Sequence, residues 1–173
     1  MTWTAPEIDR PRPAIAGDER ALLESMLDHM RATLQMKCSG LTEDQLKLQP
    51  LGYTNLSLLG LVRHVSDVEL FWFRVNLNQE EVSGYYHRSD DAEVAWNQAP
   101  QGDAQRDFAH YAESVEKARD IASKHELDAA FTHMFFDGDS SLRWIYLHLI
   151  QEYGRHCGHA DLLRQAIDGT TGE

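Results

Sequence analysis

Apolar residues return at three- and four-residue steps in four separate stretches of this chain, the spacing of a helix that buries one face. Leu23, Met26, Leu27, Met30 and Leu34 mark the first stretch and predict a helix over 18–37. Leu58, Leu61, Val62, Val65, Val68, Phe71 and Trp72 mark the second. That helix starts at Asn55 or Ser57, either of which is a good N-cap, and runs to Asn78. Ala104, Phe108, Tyr111, Val115, Ala118 and Ala122 place the third over 103–124. The fourth, 142–167, opens after Ser140 or Ser141 and closes at Gly169. Alternation with period two is not sustained anywhere, so no strand is expected. The fold class expected is all-α, a four-helix bundle with long connections.

Between these helices the punctuation is local. Gly40 ends the first helix. Thr42 and Gln45 then form a capping box, with Leu41 and Leu46 as its hydrophobic staple, and Pro50 limits the short helix that follows. Residues 80–101 read as irregular, with one helical turn over 92–97, and FFDGDSS at 135–141 reads as a turn. Residues 1–16 hold three of the five prolines (Pro6, Pro11, Pro13) and should run extended. The remaining 17–173 is long enough for one domain with its own core.

Charge narrows the partners. The chain carries 28 acidic against 16 basic residues, a net charge of -12, which argues against nucleic acid or an anionic membrane surface. Solubility is the plain reading of that acidity. No apolar leader and no membrane-length apolar run occur. Cys38 and Cys157 are too few for a disulfide framework, and no CxxC is present. The expected compartment is the cytoplasm.

The informative residues are polar ones on apolar faces. Turning about 100° per residue, Leu142, Ile145, Leu149, Ala160, Leu163 and Ile167 define one side of the fourth helix. Glu152 and His156 fall on or beside that stripe, one turn apart. An ionised carboxylate there needs a proton, an arginine or a metal to compensate it. His64 breaks the pattern in the same way, sharing a face with Leu61, Val68 and Phe71. Two imidazoles and a carboxylate on facing helices match a metal held in a bundle core, with positions left open. A lone core histidine with a hydrogen-bond partner is the competing explanation for each residue singly.

Other residues are weaker candidates. His148 and His159 lie at the edge of the stripe and could orient a ligand. Asp67, one turn beyond His64, could hydrogen-bond to it. Cys157 falls away from the core face and Cys38 at a helix end, so neither is expected as a nucleophile. Arg143, Arg155 and Arg164 are expected in surface ion pairs, one of them able to meet an anionic substrate. Tyr53, Trp72, Trp144 and Tyr146 line a pocket or simply pack. The helical zinc-protease motifs HExxH and HxxEH are absent.

Two segments carry a family resemblance. SLLGLVRHVSDVELFWF (57–73) and LRWIYLHLIQEYGRHCGHADLLRQAIDG (142–169) resemble the second-helix and last-helix motifs of the DinB-like metalloprotein superfamily. EYGRHCGHADLLR is similar to its actinobacterial branch, which includes mycothiol-dependent S-transferases and maleylpyruvate isomerase. The resemblance covers about residues 16–169. It implies a four-helix bundle holding one divalent metal through His64, Glu152 and His156. Many members have histidine where this chain has Glu152, and the isomerase type has glutamate. His159 stands where many members carry glutamine. The activity implied is thiol transfer or thiol-assisted isomerisation, with mycothiol as co-substrate and an electrophile as its target. Zn²⁺ is the expected ion, although Ni²⁺, Fe²⁺ or Mn²⁺ suits the same donors. A metal-dependent hydrolase and a non-catalytic metal- or ligand-binding bundle stand as alternatives. A homodimer is the expected assembly.

Overall fold

In the computed structural model, which describes residues 3–87, 91, 93–133 and 137–172, the chain is mostly helical with one small two-stranded sheet. Each long helix starts where a short polar side chain takes an orphan backbone N–H. Helix α1 (Glu19–Met36) opens with Asp18 accepting from the Ala21 N–H. The short α2 (Glu43–Lys47) carries the full capping box between Thr42 and Gln45. Ser57 accepts from the Gly60 N–H to start α3 (Leu58–Glu69). After the single turn of α4 (Val94–Asn97), Asp103 caps α5 (Ala104–Ser123) through the Arg106 N–H. Ser141 caps α6 (Leu142–Asp168), which ends at Gly169 in the left-handed conformation (φ 78°) that favours glycine. The helical turn expected over 92–97 is therefore α4, although Ala92 lies outside the described residues, as do Met1 and Thr2.

Two elements differ from expectation. The second long helix does reach Leu77, but over Leu70–Leu77 it widens, so that the Asn78 N–H bonds back five residues to the Phe73 carbonyl at 3.0 Å. The Asn76 side-chain amide donates to the Phe71 carbonyl at 2.9 Å, and a side chain competing for backbone acceptors favours this wide winding. The second difference is a hairpin. Strand β1 (Ala130–Thr132) pairs antiparallel with β2 (Asp139–Ser141), Ala130 opposite Ser141. Three-residue strands are too short to show an alternating pattern, which is why no strand was expected. The turn signal itself is right: Gly138 sits at φ 113° between the strands, while Phe135 and Phe136 lie outside the described residues. The hairpin leads directly into α6, whose first residues bond back to the carbonyls of Ala129 and Leu127.

Helix α3 packs along α5, and α1 along α6, with a lighter contact between α3 and α6. Leu27, Leu34, Leu58, Leu59, Leu61, Leu142, Ile145 and Leu149 are fully buried in the shared core. Ahead of α1, Ala5 is buried in this core and Trp3 packs against it, edge-on to Phe108 at 5.5 Å. Ala5 is held by two backbone bonds to Gly40 and Leu41, and the Ala14 N–H donates to Ser25 Oγ at 3.0 Å. Among the described residues no helix is long and apolar enough to cross a membrane.

A polar tie runs through the interior. Arg31 of α1 donates to both carboxylate oxygens of Glu69 on α3, at 2.7 and 2.6 Å. Tyr153 of α6 donates to the same carboxylate at 2.8 Å and lies 3.3 Å from the Tyr111 hydroxyl of α5. One residue from each of the four longest helices thus meets in a buried network. Burial works against a charged Arg31, but the facing Glu69 carboxylate outweighs it and raises its pKa.

Candidate metal centre

His64 lies two turns into α3, on the side turned toward α6. Glu152 and His156 occupy the middle of α6, one turn apart. Glu152 Oε1 stands 3.1 Å from His64 Nε2 and 3.1 Å from His156 Nε2. One ligand atom from each of the three residues lies within 4.8 Å of the other two. The two imidazole rings meet edge to face, 4.7 Å between centroids. His156 is buried, while His64 and Glu152 are half-buried, so the cluster opens at one side. Hydrogen bonds from His156 and then His64 hold the Glu152 carboxyl well below the usual carboxylate range, against the opposing effect of burial.

The surroundings are aromatic and imidazole-rich. Trp96 packs 4.9 Å from the His64 ring and 5.9 Å from that of His156. His159 places Nδ1 3.3 Å from His156 Nδ1, leaving the Nε2 of His156 directed at Glu152. Burial, followed by the neighbouring His156, lowers the pKa of His159. His148 stacks on Trp144 (4.8 Å, 7°) and meets Trp72 edge-on at 4.9 Å. Burial lowers its pKa as well.

Several expectations need correction. Asp67 does not serve His64. Both of its carboxylate oxygens accept backbone N–H groups of the following loop, from Tyr85, Tyr86 and His87 at 2.6, 2.9 and 2.7 Å. Cys157 is buried rather than outward-facing, with Sγ 3.6 Å from the Met30 carbonyl. The reason is that α6 has two partners: its Cys157 side meets α1 while its Glu152 side meets α3. Burial pushes the Cys157 thiol up to about 11 and the Cys38 thiol up to about 12, which leaves neither as a nucleophile at neutral pH. Tyr53 is 84% exposed, whereas Trp72 and Tyr146 are buried and Trp144 half-buried. Tyr146 does line a cavity, between α1 and α5 and away from the triad, where its hydroxyl donates to Glu24 at 3.0 Å.

The arginines of α6 separate clearly. Arg143 pairs with Glu19 and Asp128, and Arg164 donates to the carbonyls of Lys37 and Ser39. Arg155 stands beside the triad, with Nη1 3.9 Å from Glu152 Oε2. The buried Arg31–Glu69–Tyr153–Tyr111 network and the Trp96 wall were missed from sequence. Glu69 had a signal, an acid amid VELFWF, of the same kind that picked out His64.

A family model described as Mycothiol-S-transferase matches residues 22–169. No curated protein matches the chain.

Proposed function

The chain belongs to the mycothiol-S-transferase family, within the DinB-like superfamily, and from that premise we propose that it joins mycothiol to an electrophile, or isomerises one with the thiol's help, using a divalent metal held by His64, Glu152 and His156. The observation that carries this reading is the convergence of the three ligand atoms within 4.8 Å of one another at a half-open position.

The donor set fits such an ion. Two neutral imidazole nitrogens and one carboxylate oxygen make a three-ligand site of the catalytic zinc kind, with room for a further ligand. Ni²⁺, Fe²⁺ and Mn²⁺ accept the same donors, and Zn²⁺ is the ion proposed. When bound, the cation keeps a coordinated thiol deprotonated at neutral pH, where a free thiol is mostly protonated.

The chain's own groups have separable tasks. Glu152 supplies the negative charge of the site. His159 orients His156 through the paired Nδ1 atoms, so that Nε2 remains available. Trp96 covers the two imidazoles and restricts water. No protein nucleophile is required, in keeping with two buried thiols of raised pKa. In the transfer the thiol sulfur forms a bond to the electrophilic carbon, the leaving group departs with its electron pair, and the thiol proton goes to solvent. The proposed frame for this chemistry is a single four-helix-bundle domain over 17–173, made by α1, α3, α5 and α6 and preceded by the separate N-terminal segment 1–16. The proposed setting is the cytoplasm, where low-molecular-weight thiols stay reduced.

The test is incubation of the metal-loaded protein with mycothiol and monobromobimane. Conjugate should form faster than in the uncatalysed mixture, and chelation should abolish the excess. A rate equal to the uncatalysed one, with metal present, would count against the reading.

A further inference from the structure

We propose that Arg155 recognises a carboxylate on the electrophile and thereby selects a singly anionic substrate class. The inference rests on the transferase reading above.

Arg155 belongs to a row on α6, His148–Glu152–Arg155–His159, whose steps of four, three and four keep the side chains on one face. Its side chain is 58% exposed. Among the described residues it makes no hydrogen bond, and its ion pair with Glu152 Oε2 spans 3.9 Å, beyond hydrogen-bond reach. The other two arginines of the helix spend their donors on Glu19 and Asp128, or on the carbonyls of Lys37 and Ser39. Arg155 therefore keeps a planar fork of N–H donors open at the rim of the triad.

Charge balance says what that fork awaits. A divalent cation, the Glu152 carboxylate and one bound thiolate sum to zero. The guanidinium then leaves one positive charge over, next to a cation, an arrangement that costs energy until an anion joins it. One carboxylate closes the balance, whereas a phosphate dianion overshoots it. A planar carboxylate also accepts two parallel bonds from the fork. The chain as a whole carries a charge of -12, so an anionic substrate needs a local cation to be retained at all.

The experiment uses matched electrophiles with mycothiol: 4-chloro-3,5-dinitrobenzoate and its neutral carboxamide. In each, the thiolate sulfur bonds to the ring carbon bearing chlorine, chloride leaves with the bonding pair, and the thiol proton goes to solvent. In the metal-loaded protein Arg155→Gln should raise KM for the benzoate about tenfold and leave the carboxamide unchanged, with Arg155→Lys recovering part of the loss. An equal change for both electrophiles overturns the assignment. Calorimetric binding of unreactive 3,5-dinitrobenzoate gives a readout without turnover. It should weaken about tenfold in Arg155→Gln, and equal Kd values, or no binding to wild type, again overturn it. If wild type converts neither electrophile yet binds the dinitrobenzoate through Arg155, the transferase reading falls and the arginine assignment stands. If wild type turns over both electrophiles with no dependence on Arg155, the transferase reading stands and the arginine assignment falls.

Discussion

Tyr153 donates its hydroxyl to Glu69 Oε1 at 2.8 Å, and its chain neighbour Glu152 belongs to the His64 cluster. Helices α3 and α6 are thus joined twice, by His64 to Glu152 and by Glu69 to Tyr153, back to back along the same seam. The second joint depends on a fully buried charge. Glu69→Leu strips Arg31 of its buried counter-charge, leaving only the partly exposed Asp28 carboxylate 2.9 Å from Nη1, and should cost about 3 kcal/mol of unfolding free energy. Tyr153→Phe removes one hydrogen bond and should cost about 1–2 kcal/mol. Adding Arg31→Met to Glu69→Leu removes both charges and should restore much of the loss. Urea denaturation of the three variants checks this order, and a double variant no better than Glu69→Leu would refute it.

Asp67 gathers three consecutive backbone N–H groups, from Tyr85, Tyr86 and His87. That loop in turn places the Tyr86 hydroxyl 2.9 Å from Asp107 and beneath the Arg63 guanidinium. Asp67→Ala leaves the three donors unanswered and should free the loop while α3 stays folded. Chymotrypsin should then cut at Tyr85 or Tyr86 at least about tenfold faster, a local opening made cheaper by about 1.4 kcal/mol or more. Unchanged cleavage would show that other contacts hold the loop.

Most of what was legible beforehand is local. Thr42 with Gln45, Ser57, Ser141 and Gly169 each act through bonds to residues three or four positions away, so a single segment contains the whole signal. The convergence of His64, Glu152 and His156 was legible because polar groups on apolar faces demand partners, and two helices showed the same anomaly. Asp67 and Cys157 were misread for a different reason. A helical wheel assigns one inward side, but α6 is covered by α1 as well as α3, and the Asp67 side of α3 is covered by a loop with no periodicity to announce it. Glu69 closes the regular part of the helix, before the widened winding of Leu70–Leu77, so a step of about 100° does place it on the apolar side with Leu58, Val62 and Val65; what the wheel lacks is the group that answers it. Its partner Arg31 sits 38 residues away in the chain, a distance no local pattern spans.

The two thiols make stability fall at alkaline pH. Burial raises the Cys38 pKa from 9.0 to about 12 and that of Cys157 from 9.0 to about 11. A raised pKa means that the folded state favours the protonated thiol. This contribution is complete below pH 9, and it is lost as pH rises from there through the folded values. Between pH 9 and 11 each thiol should add a slope of about 1.4 kcal/mol per pH unit. Urea midpoints measured from pH 8 to about 10, short of where the buried tyrosines Tyr111, Tyr146 and Tyr153, also raised by burial, act in the same sense, should decline, and Cys38→Ala with Cys157→Ala should flatten the decline. At pH 8 Ellman's reagent should react with native protein far more slowly than with protein in denaturant. Rapid labelling of the native state would contradict the burial of both sulfurs.

Metal removal tests the centre itself. Protein purified without a histidine tag should carry about one divalent ion per chain by elemental analysis, and His156→Ala and Glu152→Gln should carry almost none. An ion that binds only the folded state stabilises it by mass action, about 2.7 kcal/mol at one hundred times its Kd. For a chain of this length that corresponds to a Tm lowered by about 5–10 °C on adding chelator. His156→Ala should melt at the same temperature with or without chelator, because the two donors left, His64 and Glu152, are one ligand short of a three-ligand site. The comparison isolates the ion from the side chains. Without it, Glu152 still accepts at 3.1 Å from both imidazoles, so α3 and α6 remain joined and the apo protein should stay folded. Chelator shifts of equal size in wild type and His156→Ala would place the stabilising ion somewhere other than between His64, Glu152 and His156.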